Sequence, residues 1–241
     1  IPANAGIQRS TQDPPSWRVF LFARPTARPP LPQGHPAKTS GIPLPETRLS
    51  RIISRMTSAL FPSLLGDDVW RALPVAVQAM HGDALTLHAN GQADVAGVSH
   101  WPARCLRSLL GLPAPGARQP LALTIERHGM RETWTRRFAG RRMQSVLHGR
   151  GNSTLLYERL GPATLAFALR RDGDAIDWQL RSLHVFGVPT PRFLRGDVLS
   201  RSGVRDGRYH FHVDVRLPLL GLLIGYQGWL VPDTGGAVPN E

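Results

Sequence analysis

Within Glu132-Thr133-Trp134-Thr135-Arg136-Arg137-Phe138, a guanidinium stands between two aromatic rings at two-residue spacing. Alternate side chains of a strand share a face, so Trp134, Arg136 and Phe138 point one way and Thr133, Thr135 and Arg137 the other. An arginine flanked by rings on an inward face is either a paired buried cation or part of a pocket wall, because an unpaired buried charge is very costly. Glu158, in Leu155-Leu156-Tyr157-Glu158-Arg159, offers the carboxylate for such a pair. Together, Trp134, Arg136, Phe138 and Glu158 offer recognition chemistry: the polar end of a ligand pocket, or an anion site. General acid–base use of Glu158 lacks an evident second catalytic group.

Other groups weigh less. His210-x-His212-x-Asp214 lies on one face of a predicted strand, and two His at that spacing bind zinc when a third ligand comes from elsewhere. The opposite face (Tyr209, Phe211, Val213, Val215) is the apolar one, so the polar trio reads more simply as the solvated face. His81 is a candidate ligand or base, but its place before Gly82 favours a helix C-terminal cap. Arg136-Arg137 and Arg141-Arg142 beside two aromatics suggest nucleic acid, yet alternation splits these arginines over both faces, and nucleic acid is not the expected partner. Cys105 is the only cysteine, which excludes an internal disulfide, and it reads as a small core residue. The sequence contains no Gly-x-Ser-x-Gly, HExxH, P-loop or CxxC arrangement and no Gly-rich dinucleotide fingerprint. No catalytic motif is found, so a binding module is favoured over an enzyme, which would need a solvent-open cleft with a perturbed acid or His; no cofactor or metal site is expected.

The elements that must position these residues are mostly strands. One helix is predicted over 66–81, with Asp67 and Asp68 at its positive end and Pro74 breaking or kinking it. A first strand covers 92–98. A second helix covers 100–110, with Leu106, Leu109 and Leu110 on its buried side. From Pro120 onward the pattern is a β-meander of hairpins, with turn signals at His128-Gly129, Gly140, Gly161-Pro162, Asp172-Gly173 and Asp206-Gly207. The expected fold class is α+β, mostly antiparallel β: a curved sheet or barrel-like meander with two N-terminal helices. Such a sheet encloses a pocket that helices plug or cover.

The chain has 241 residues and a formal net charge of +12, carried almost entirely by Arg. Half of that excess sits in residues 1–55, where eight basic groups face only Asp13 and Glu46. Prolines deny regular structure to the first 45 residues, so 1–55 reads as a disordered arm, 56–231 as one globular domain and 232–241 as a flexible tail. Met56 is a candidate natural start. Leu49, Ile52, Ile53, Met56 and Leu60 also form a basic amphipathic stripe, either a docking helix or a membrane-surface segment. No apolar run is long enough for a transmembrane helix and no secretory h-region is evident, so the expected location is cytoplasmic.

Several features in order resemble one bacterial family: Leu64-Leu65-Gly66, Leu73-Pro74 and His81; Leu110-Gly111-Leu112-Pro113; Trp134-x-Arg136-x-Phe138; Tyr157-Glu158-Arg159 with Gly161-Pro162; Gly187-x-Pro189-x-Pro191; and Gly225-Tyr226-x-Gly228-x-Leu230. From Phe61 to Leu230 the chain resembles domain of unknown function 4166. The resemblance implies a module found alone or C-terminal to saccharopine-dehydrogenase-like, NAD(P)-binding modules, with no catalytic residues to carry over. It implies one partner, an oxidoreductase met in trans; the aromatic and charged alternation with the apolar Leu217–Tyr226 segment instead points to an apolar small molecule held in the sheet.

Overall fold

The computed structural model describes residues 59–151 and 153–233. The predicted arm, the start at Met56 and all but the first two residues of the predicted tail lie outside them. Among the described residues three short helices come first: α1 (Leu60–Leu65), α2 (Asp67–Arg71) and α3 (Val75–His81). The single helix predicted over 66–81 is thus two, because Pro74 has no N–H to donate and caps a new start. Gly66, at φ 83°, lets the chain reverse between α1 and α2. Strand β1 (Thr86–Ala96) is longer than predicted, and α4 (Trp101–Leu109) follows it.

The remaining strands are β2 (Gly116–His128), β3 (Arg131–Phe138), β4 (Arg141–His148), β5 (Leu155–Leu160), β6 (Ala163–Asp172) and β7 (Ala175–Val185). After the two-residue β8 (Val188–Pro189) and α5 (Arg192–Arg195) come β9 (Asp197–Arg205), β10 (Arg208–Leu217) and β11 (Gly221–Pro232). Each strand pairs antiparallel with its neighbour, β6 pairs with β7, and β1 pairs with β11. Ten strands therefore close into an up-and-down barrel, with β8 a short ribbon beside β7. The predicted meander stands, and it is closed rather than merely curled. Bulges at Ala93/Val95, Ala166/Phe167 and Val215/Arg216 supply local bending for closure.

Strand polarity gives the barrel two different ends. The hairpins β2–β3, β4–β5, β6–β7 and β9–β10 lie at one end, with α1 to α3. Leu60, Phe61, Val77 and Met80 are fully buried there and pack into the barrel as a plug. Phe61 lies 5.6 Å from Trp178 and 6.3 Å from Trp134, ring centre to ring centre. The other end gathers the β3–β4, β5–β6 and β10–β11 turns, α4, and the β8–α5 segment. Arg107 anchors α4 there: buried, its Nη1 donates to the carbonyls of Val98 (2.8 Å) and Leu223 (3.0 Å). Leu109, predicted on the buried side of this helix, is 68% exposed. Cys105, predicted as a core residue, is exposed too. Ala103 and Arg107 are the buried residues of this helix, and Leu106 and Leu110 pack against the core as predicted.

Candidate functional site

Alternation along β3 sends Glu132, Trp134, Arg136 and Phe138 inward, and all four are buried. Arg136 sits at the middle of the wall. Its Nη1 donates to Ser145 Oγ on β4 at 3.0 Å. Its Nη2 lies 3.9 Å from Glu158 Oε1 on β5, a long contact for an ion pair. The guanidinium carbon stands 4.9 Å from the Trp134 ring centre, near enough for a cation–π attraction. Three adjacent strands thus present one cation, one carboxylate and one hydroxyl to the interior.

That interior is not filled. A cavity of ≈ 320 Å³ runs from the plug toward the α4–α5 end. Trp134, Arg136 and Glu158 line it together with Tyr209, Phe211 and Tyr226, with leucines, valines and isoleucines making up much of the rest of the wall. Phe138 does not line it: its ring packs edge-on to Tyr226 at 6.0 Å and supports that side chain from beside the pocket. Burial raises the Tyr226 hydroxyl above the ordinary tyrosine pKa, Arg136 opposing and Glu158 adding to the effect. Tyr209 is raised in the same direction, again by burial. Both hydroxyls are therefore neutral hydrogen-bonding groups at neutral pH.

His81 and a second buried ion pair form the floor. His81 is fully buried, stacked on Trp134 at 5.5 Å and hydrogen-bonded through Nε2 to the Tyr209 hydroxyl at 3.0 Å. It does not cap α3, as its position suggested. Arg127 does so: Nη2 donates to Met80 O at 2.6 Å and Nη1 to Ala84 O at 2.8 Å, while Nε donates to Glu132 Oε1 at 3.2 Å. The other Glu132 oxygen accepts from Trp134 Nε1 at 2.7 Å. Burial pushes the Glu132 carboxyl up, and Arg127 and the indole N–H pull it back. Because both oxygens already accept from donors, the pair is charged at neutral pH.

Burial, and secondarily the Arg127 charge, pushes the His81 imidazole down to about 3. Above about pH 6.5, His81 is neutral whether the chain is folded or unfolded and adds no pH dependence. Below that, the unfolded chain takes up a proton that the folded floor refuses. Stability should then fall by roughly 1.4 kcal/mol per pH unit from this group until pH about 3. His148 and His210, also lowered by burial, add to the loss in the same direction. Glu132 and Asp177, raised by burial, act in the opposite direction, so the test is a difference between variants: from neutral pH to about pH 4.5 the urea midpoint of the parent should fall further than that of His81→Phe. An equal fall in the two would place the proton uptake elsewhere.

The weak metal candidates face outward. His212 Nε2 lies 3.5 Å from Asp214 Oδ1 and its Nδ1 lies 3.2 Å from Gln227 Oε1, on the outer wall with His210. Among the described residues, no three His, Cys, Asp or Glu side chains are grouped to hold a metal. The fold brings Trp134, Arg136 and Glu158 to the cavity wall and leaves Phe138 beside it; Arg127, Glu132 and Tyr226 were not among the expected site residues. Glu132 carried a signal, being two residues before Trp134 and hence on its face. Arg127 carried the same signal, two residues after Ile125 on the face of Leu121 and Leu123, but its pairing with Glu132 waited on the β2–β3 register.

The model of one protein family, described as Domain of unknown function (DUF4166), matches residues 73–230. The match spans α3 and the strands of the barrel to within two residues of the end of β11. No curated protein matches the chain.

Proposed function

The chain belongs to that family, and we propose that its barrel is a non-catalytic binding site for a small apolar molecule with one polar end. The unfilled interior carries this reading. Side chains fill small barrels unless a ligand takes their place, and ligand pockets are mostly apolar with a few convergent polar groups. A void of ≈ 320 Å³ falls at the lower end of the ~300–1,000 Å³ occupied by small molecules. The ligand's polar end would meet Arg136 and Glu158, the pair whose 3.9 Å separation leaves each with hydrogen-bonding capacity. The Tyr209 hydroxyl is held by His81 at the floor, and Tyr226 brings a second hydroxyl-bearing side chain to the cavity wall. An exposed, unpaired Cys105 suits a reducing compartment, and we place the protein in the cytoplasm.

Native mass spectrometry of the protein from its own host, followed by extraction, is the direct test. A stoichiometric apolar molecule supports the reading. An empty barrel that co-purifies with an NAD(P)-dependent oxidoreductase would support a partner module instead. With a ligand in hand, Arg136→Met should weaken binding by about 10- to 100-fold, the worth of one charge-assisted hydrogen bond. The folded state should survive, since Met fills similar space beside Trp134. Unfolding of this variant would assign Arg136 to structure.

A further inference from the structure

We propose that the open end of the barrel docks end-on against an anionic lipid bilayer. Exposed apolar side chains concentrate at that end: Trp101 and Leu109 on α4, Phe186 and Val188 around the β7–β8 turn, Phe193 on α5, and Leu219 in the β10–β11 turn. Leu109 and Phe186 also line the cavity, so this surface is its mouth. An apolar ring of this kind is not the usual face of a protein toward water.

Two of these residues are held outward at a backbone cost. Phe186 and Leu219 have φ of 51° and 65°, a left-handed conformation disfavoured for bulky side chains. They are 79% and 100% exposed, so interior packing does not repay the strain. The plugged end shows the ordinary solution. There the β9–β10 turn, Asp206-Gly207, has the same two left-handed residues but puts a polar side chain first. The mouth has Phe186-Gly187 in the equivalent position.

Charge identifies the partner. Arg104, Arg137, Arg141, Arg142, Arg192 and Arg216 are exposed at the mouth end. The acids along its outer wall are Asp94, Asp197 and Asp214. Asp94 is already engaged by the Arg118 N–H at 2.7 Å, and Asp214 lies 3.7 Å from Arg216. Apolar side chains set among arginines match the acyl boundary and phosphate layer of an anionic leaflet. The barrel wall opposes deeper insertion, since His88, Asn90, Gln144 and Asp177 lie on its outer face, whereas membrane-spanning barrels present an apolar band there. This inference rests on the mouth alone and holds whatever the cavity contains.

Flotation with vesicles of phosphatidylcholine containing about one-third phosphatidylglycerol tests it. The protein should float with these vesicles, much less with pure phosphatidylcholine, and several-fold less when salt rises from about 0.1 M to about 0.5 M. The triple variant Phe186→Asn, Phe193→Ser, Leu219→Asn should lose at least about 30-fold in partitioning, given the transfer energy of each side chain. Asn tolerates both left-handed positions, so thermal stability should be unchanged or higher. Wild-type protein that stays off anionic vesicles overturns the proposal. So does a triple variant that binds them equally, or a mouth that instead closes against a second copy, seen as a concentration-dependent dimer abolished by the same variant. Cavity binding, measured in solution without vesicles, separates this outcome from the ligand-binding reading.

Discussion

Arg127→Met is expected to cost about 3–5 kcal/mol of stability, enough to unfold a domain that starts near the low end of the usual range. The buried guanidinium does two jobs at once. It neutralises Glu132, which is 0% exposed, and it satisfies the carbonyls of Met80 and Ala84 just where α3 ends. Removing it leaves a bare carboxylate and two carbonyls without their donor in the floor of the barrel. The double variant Arg127→Met, Glu132→Leu should recover part of the loss, because an ion pair replaced whole by apolar groups is often near neutral. It should not recover all, since the two carbonyls and the Trp134 N–H stay unpaired. Urea denaturation of the two variants and the parent measures both steps. A single variant as stable as the parent would show that the plug is held by apolar packing alone.

Gly228→Ala is expected to be comparably severe, with a loss of at least about 3 kcal/mol. Gly228 on β11 faces Ala93 on β1, and Gly91 on β1 faces Leu230. A Cβ at Gly228 would overlap the Gln92 carbonyl, and one at Gly91 would overlap the Trp229 carbonyl. The obstacles are backbone atoms of the paired strand, which cannot rotate away as a side chain would. Both glycines lie on the β1–β11 ladder, where the first and last strands meet. The lesion should therefore appear as loss of amide protection along β1 and β11 before the rest of the barrel. Uniform protection with a normal melting temperature would mean that the seam has slack.

Much of this arrangement was legible because a strand's period is two. Alternation alone placed Trp134 and Arg136 on the inner face and His210 and His212 on the outer one. Glycine-bearing turns marked the hairpins, since left-handed positions exclude most residues. Closure was not legible: an apolar face says which side is buried, not which strand lies beside which. The Arg127–Glu132 pair was hidden for the same reason, as cross-strand neighbours exist only once register is set. Leu109 misled because helical spacing groups it with Leu106 and Leu110, yet α4 sits across the rim and only part of that face finds a partner. His81 misled because capping is a local motif, while its actual neighbours, Phe61, Trp134 and Tyr209, come from three distant parts of the chain.

The seam also governs when the barrel can exist during synthesis. Gly91 waits for Leu230, roughly 140 residues later, and at ~5–20 residues per second that delay is on the order of ten seconds. Through that interval β2 protects only one edge of β1, and the other presents unpaired N–H and C=O groups to any passing strand. Contacts so distant in sequence form slowly, so a nascent chain of this topology has a long period of vulnerability that ends with its final strand. Truncation within β11 should therefore yield aggregates in place of a smaller folded domain.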